Sequence, residues 1–168
     1  MRLLHTADWH LGKNLEGRSR LDEQELFLED FVKIVEENNP DLVLIAGDIY
    51  DSANPSARAE KLFYDTLKKI SGEGKRITVV IAGNHDNPQR LVAATPLAMD
   101  HGIIMVGTPK TVIPTGRYGQ HPVTDSKEGY HEIDMGGGKA VIMTIPFPSA
   151  NRLNEVLNGY RDTDEEGL

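Results

Sequence analysis

Short runs of consecutive apolar residues alternate, through the first two thirds of the chain, with longer segments whose apolar residues recur every three or four positions. Runs of the first kind read as strands buried on both faces, and segments of the second kind as amphipathic helices. The alternation therefore predicts βαβ units around a parallel sheet. The predicted strands are Leu3 to Ala7, Leu42 to Ala46, Ile77 to Ala82 and Ile103 to Val106. Between the first two, Phe27, Phe31, Ile34 and Val35 fall on one face of a helix over Leu21 to Asn38, which Pro40 closes. A second helix carries Ala59, Leu62, Phe63, Leu67 and Ile70, with Asn54-Pro55 as its expected cap and first turn. Asn87-Pro88 and Thr95-Pro96 repeat that signal and predict two short helical pieces ending at Gly102.

After Gly107 the pattern changes. Pro109, Pro114, Gly116, Gly119 and Pro122 interrupt the chain, and His131 to Asp134 pairs with Lys139 to Ile145 around the Gly136-Gly137-Gly138 turn. This stretch reads as antiparallel, so the expected class is α/β with parallel βαβ units followed by antiparallel strands. A last amphipathic helix, with Ser149 as cap and Leu153, Val156, Leu157 and Tyr160 on one face, leads into an acidic end.

Composition narrows the function classes. A chain of 168 residues with 39% hydrophobic content is one domain's worth of sequence with material for a core, which argues against disorder. Its formal charge of −8 excludes a general basic field, so a polyanionic substrate would need a local basic loop or bound cations. The absence of cysteine excludes disulfides, thiolate metal sites and cysteine nucleophiles. No apolar stretch approaches the roughly 18 residues of a membrane span, and the apolar start is too short for a signal peptide, so a cytoplasmic protein with no membrane association is expected.

The candidate chemistry follows three of the predicted strands directly: Asp8-Trp9-His10, Gly47-Asp48-Ile49-Tyr50-Asp51 and Gly83-Asn84-His85-Asp86. In a parallel sheet all three lie at the carboxyl edge, where ligands bind. Aspartate, histidine and asparagine offer oxygen and imidazole donors without sulfur, a set suited to manganese, iron or zinc more than to calcium. Each cluster alone is also an ordinary turn sequence. Their shared position, three times in order, carries the site hypothesis.

These residues resemble the calcineurin-like metallophosphoesterases, whose signature runs D-x-H, G-D-x-x-D and G-N-H-[DE]. The flanks Thr6 to Lys13, Gly17-Arg18-Ser19-Arg20 with Glu23-Gln24 and Phe27-Leu28, and Gly83 to Leu91 are similar to the bacterial nuclease-subunit branch of that family. The resemblance covers nearly the whole chain and implies the family's sandwich fold and a dinuclear centre of two divalent ions, with manganese expected. Carried over by position, Asp8, His10 and Asp48 would hold one ion, and Asp48 and Asn84 the other. His85 would be catalytic, stabilising the attacked phosphate or protonating the departing oxygen, with Asp51 orienting its ring by a hydrogen bond; as a plain turn residue, Asp51 would have no such role. Asp86 reads as a brace or helix cap rather than a ligand.

The resemblance further implies a metal-dependent DNA nuclease acting in break processing and repair. It also implies a homodimer and a large ATPase partner with a long coiled coil, docking through regions beyond residue 168. Lys13, Arg18 and Arg20 form a basic loop that could hold a phosphate backbone, or simply be a solvated loop leading into the helix. Trp9 could stack on a base or pack to fix its loop. Leu62, Phe63, Leu91, Val92 and Leu97 could form a dimer surface, though the core is the preferred place for most. The family's downstream histidine and Gly-His-x-His element are missing from this sequence, and neither His121 nor His131 has the spacing to replace them. The expectation is thus an N-terminal portion of the nuclease domain over residues 1 to 168, with weak metal affinity and low activity by itself. A phosphoesterase of phosphoproteins or cyclic nucleotides, and a non-catalytic dimerisation or regulatory module, remain as alternatives.

Overall fold

A computed structural model describes residues 1–149 and 152. Four strands, β1 (Leu3–Thr6), β4 (Leu42–Ala46), β5 (Ile77–Ile81) and β6 (Ile103–Val106), form a parallel sheet in the order β1-β4-β5-β6. A two-stranded ribbon, β2 (Asn14–Leu15) with β3 (Arg18–Ser19), and helix α1 (Leu21–Asn38) connect β1 to β4. Helix α2 (Ala57–Ile70) connects β4 to β5. The short helices α3 (Pro88–Val92) and α4 (Thr95–Ala98), with a 3₁₀ turn at Met99–His101, lead into β6. Strands β7 (Gly116–Tyr118), β8 (His121–Lys127), β9 (Tyr130–Asp134) and β10 (Lys139–Met143) then form an antiparallel meander.

Period-two alternation along the parallel strands builds two cores. Val43, Ile45, Val80, Ala82 and Met105 face Phe31 and Val35 of α1 and Phe63 and Leu67 of α2. Leu42, Ile77, Val79, Ile104 and Val106 face the opposite way, against Tyr118, Val123, Ile133 and Ile142 of the antiparallel sheet. The result is three layers, helices on a parallel sheet on an antiparallel sheet, which is the α/β class the pattern predicts.

Several local expectations differ from the structure. The cap of α2 is Ser56, whose hydroxyl accepts from the Ala59 N–H at 3.2 Å, and Asn54-Pro55 lies ahead of it. Thr95 is the first residue of α4 and Ala94 its cap, whereas Asn87 caps α3 as expected, accepting from the Arg90 N–H. On α1 the buried stripe is Leu21, Leu28, Phe31 and Val35, while Phe27 and Ile34 are exposed on its flank. Phe63 and Leu91 are buried in the core, Leu62 and Val92 pack against it, and only Leu97 of that set is exposed. Ser149 Oγ accepts from the Arg152 N–H as an N-cap does. Leu153, Val156, Leu157 and Tyr160 lie outside the described residues. Among the described residues, no helix is long and apolar enough to cross a membrane.

Candidate metal centre

The three polar clusters meet beyond the carboxyl ends of β1, β4 and β5. After β1 the chain keeps running beside the segment that follows β4: Asp8 N donates to Gly47 O, His10 N to Asp48 O and Leu11 N to Ile49 O, at 3.1, 2.9 and 2.9 Å. Asp8, His10 and Asp48 all adopt the left-handed region, with φ of 58°, 46° and 49°. For a non-glycine residue this costs about 1–2 kcal/mol each, a strain that tight surrounding structure must hold in place. Two glycines allow the approach. A Cβ on Gly47 would sit 3.0 Å from the Gly83 Cα, and one on Gly83 would overlap the Asp48 carboxylate and backbone nitrogen.

Asp8, His10 and Asp48 bring one ligand atom each to within 4.8 Å of one another, and so do His10, Asp51 and His85. His10 belongs to both groups because its two ring nitrogens face different carboxylates: Nε2 is 3.9 Å from Asp48 Oδ2, and Nδ1 is 3.4 Å from Asp51 Oδ1. The His85 N–H donates to Asp48 Oδ1 at 3.0 Å, and its ring stands edge-on to that of His10 at 4.8 Å. His85 Nδ1 is bonded at 2.9 Å to the main-chain carbonyl of Asp51, not to the carboxylate that the family resemblance pairs with it. Asn84 is exposed beside His85, and its side chain makes no hydrogen bond among the described residues. The donor set fits a divalent ion. It is made of carboxylate oxygen and imidazole nitrogen, gathered within 4.8 Å.

Three residues outside these candidate ligand groups brace the loops. The buried Asp86 carboxylate accepts from the backbone N–H groups of Gly83, Ile49 and Tyr50 at 2.8, 3.2 and 3.0 Å, tying the loop after β5 to the loop after β4. It is a brace, and the helix cap is its neighbour Asn87. Gln24 of α1 accepts from Gly12 N and donates to the carbonyls of Trp9 and His10. Arg152 donates to the carbonyls of Gly83 and Asp86, and to that of Phe147. The sequence pattern assigns no role to Gln24 or Arg152. Gln24 does carry a signal, as a polar residue inside the buried stripe between Leu21 and Leu28; nothing local in the sequence marks Arg152.

Trp9 is buried, donates its indole N–H to Thr6 Oγ1 and packs edge-on against Phe31 and Phe63, so it fixes its loop and presents no stacking face. Of the basic loop, Lys13 Nζ lies 3.9 Å from Asp51 Oδ1, and Arg20 is paired with Glu23. Arg18 sits exposed on β3, behind the Glu16-Gly17 turn, with no ionic partner among the described residues. His121 and His131 are engaged elsewhere, His121 with the carbonyls of Lys75 and Asp134 and His131 with Ser126 and Thr144.

Comparison with known proteins places these loops in a wider set. Residues 1–164 match the family model for calcineurin-like phosphoesterases. The chain is 46% identical over 168 residues to the SbcD subunit of the nuclease SbcCD from Bacillus subtilis (strain 168), covering all of this chain and 38% of that protein. It is 41% identical over 109 residues to the protein of the same name from Rhodobacter capsulatus, covering 64% of this chain and 27% of the relative. The Staphylococcus epidermidis protein of that name is 44% identical over 91 residues, which are 54% of this chain and 24% of that one. The chain thus spans well under half the length of the curated relatives it matches. A solved nuclease MPE from Pseudomonas putida overlays with a TM-score of 0.40 at 25% identity, covering 67% of this chain and 51% of the other.

Proposed function

The chain belongs to the calcineurin-like phosphoesterase family, and from that premise we propose that it carries part of the catalytic centre of a metal-dependent DNA nuclease. In this reading Asp8, His10 and Asp48 hold one divalent ion, Asp48 and Asn84 share a second, and manganese is the ion used. Support comes from one observation above all: Asp8, His10 and Asp48 converge from two separate strand ends to within 4.8 Å. Bound divalent ions polarise a phosphoryl group and acidify water, the chemistry that phosphodiester hydrolysis requires.

The protein's own residues would do the rest. A carbonyl oxygen only accepts, so the Asp51 carbonyl fixes the proton of a neutral His85 ring on Nδ1 and leaves a lone pair on Nε2. Nε2 therefore donates only when the ring is protonated, as it must be to stabilise an attacked phosphate or protonate a departing oxygen. Lys13, Arg18 and Arg20 would hold the phosphate backbone, contacts that read no base sequence.

The relatives' shared name, SbcD of the SbcCD nuclease, supports a DNA substrate and an SbcC-type coiled-coil ATPase partner. That partner would dock through sequence beyond the region shared here, in a homodimer that processes DNA breaks in the cytoplasm. No Gly-His-x-His occurs in this sequence, so metal uptake should be weak and cleavage by this chain alone slow. Calorimetric titration with manganese tests the reading: saturable uptake that Asp48→Ala abolishes is expected, with duplex DNA ends cleaved in preference to small phosphodiesters. No uptake would leave a non-catalytic module. A preference for cyclic nucleotides or phosphoproteins would move the activity to another branch of the family.

A further inference from the structure

We infer that the Asp51 carboxylate is a positioning group for His10, holding the ring so that Nε2 turns toward Asp8 and Asp48; this rests on the metal reading of the site given above. The side chain of Asp51 has no hydrogen bond to His85, whose Nδ1 is already satisfied by the Asp51 main-chain carbonyl at 2.9 Å. Asp51 Oδ1 instead lies 3.4 Å from His10 Nδ1, a buried nitrogen that makes no hydrogen bond. The opposite nitrogen, Nε2, faces Asp48 Oδ2 at 3.9 Å. A ligating imidazole whose far nitrogen points at a carboxylate is oriented by it, has its proton fixed on the far nitrogen and gains basicity at the near one. Lys13 Nζ lies 3.9 Å from the same Asp51 oxygen, on this side of the site. One residue thereby serves both histidines, His85 through its backbone and His10 through its side chain.

The two roles separate by substitution, because replacing the side chain leaves the carbonyl in place. Manganese affinity is to be measured by electron paramagnetic resonance titration, and the ring tautomers of both histidines by ¹⁵N NMR. Asp51→Ala should weaken manganese about 10–100-fold, the usual loss when such a partner is removed. Asp51→Asn should restore part of it, since an amide oxygen can still accept from Nδ1. The His10 ring should be protonated on Nδ1 in the wild type and in Asp51→Asn but mixed in Asp51→Ala, while His85 keeps its Nδ1 proton in all three.

Affinity within twofold of wild type in Asp51→Ala overturns the inference. So does an equal loss in His85→Ala, which would make Asp51 and His85 ligands in their own right. A His85 tautomer that changes in Asp51→Ala would return the carboxylate to His85. A wild type that takes up no manganese removes the metal reading and this inference with it. Binding that is lost in Asp48→Ala but kept in Asp51→Ala leaves the metal reading standing and removes this inference alone.

Discussion

Gly83 lies so close to Asp48 that a single added carbon on the glycine would occupy the space of the Asp48 carboxylate and its backbone nitrogen. The φ of Gly83 is not in the left-handed region, so room alone demands glycine here. Gly83→Ala should therefore cost about 1–3 kcal/mol of stability through overpacking, and it should abolish manganese uptake by displacing Asp48. Gly137, in open space in the β9–β10 turn, supplies the control. Thermal melts and metal titration of Gly83→Ala and Gly137→Ala would decide the matter, and two variants that behaved alike would show that the contact has no such role.

Asp86 makes its contribution without touching any candidate ligand. Its carboxylate satisfies three backbone N–H groups, two of them on buried Ile49 and Tyr50. Leaving buried donors unpaired costs about 1–3 kcal/mol each, so Asp86→Ala should lose at least about 2 kcal/mol in urea unfolding. Asp86→Asn keeps one acceptor oxygen but turns an amide NH₂ toward N–H groups, and should fall between. A loss under about 1 kcal/mol in Asp86→Ala would mean that water takes over the three bonds.

How much of this was legible in the sequence depended on how local the cause was. Helix α1 and strands β4 and β6 have the bounds the apolar pattern predicts, because Pro40 and the β-branched runs act within a few residues. The start of α2 lies two residues beyond the Asn54-Pro55 signal, and its cause is equally local. Ser56 Oγ accepts from the Ala59 N–H as a capping oxygen does, and Asn54-Pro55 is the lead-in to it. The three polar clusters could be read as one site because strand ends gather at one edge. The direction of the Asp51 carboxylate could not. It depends on the left-handed turns at His10 and Asp48 and on a backbone bond to His85, and no periodicity encodes these. The reach of Arg152 to Gly83 and Asp86 crosses 69 and 66 positions of sequence and has no local signature either.

Gln24 is a polar residue in an apolar stripe, and the loop it meets explains it. Its amide bridges Gly12 N and the carbonyls of Trp9 and His10, locking the turn on which His10 adopts its left-handed φ. Gln24→Ala should destabilise the fold by about 1–2 kcal/mol and release the Gly12 amide to faster hydrogen exchange. Gln24→Glu keeps the acceptor for Gly12 but sets a carboxylate against two carbonyls. It should therefore retain Gly12 protection while still weakening manganese binding. Unchanged exchange at Gly12 in Gln24→Ala would sink the bracing role.

The buried His131 couples the antiparallel sheet to pH. It lies between Ser126 Oγ and Thr144 Oγ1, at 3.1 and 3.0 Å, and burial holds its pKa below the ordinary 6.5. As pH falls through 6.5 the unfolded chain takes up a proton at this residue before the folded chain does. Protonation then favours unfolding, and stability drops until the folded-state pKa is passed. The contribution is thus fully present above about pH 6.5 and lost below it, with a slope of at most about 1.4 kcal/mol per pH unit for this one group. Urea unfolding of wild type and His131→Gln between pH 7.5 and 5.5 isolates it, because the other five histidines are common to both proteins. The variant should be less stable at neutral pH but flatter as the medium is acidified, and parallel curves would show that folding leaves the proton uptake of His131 unchanged.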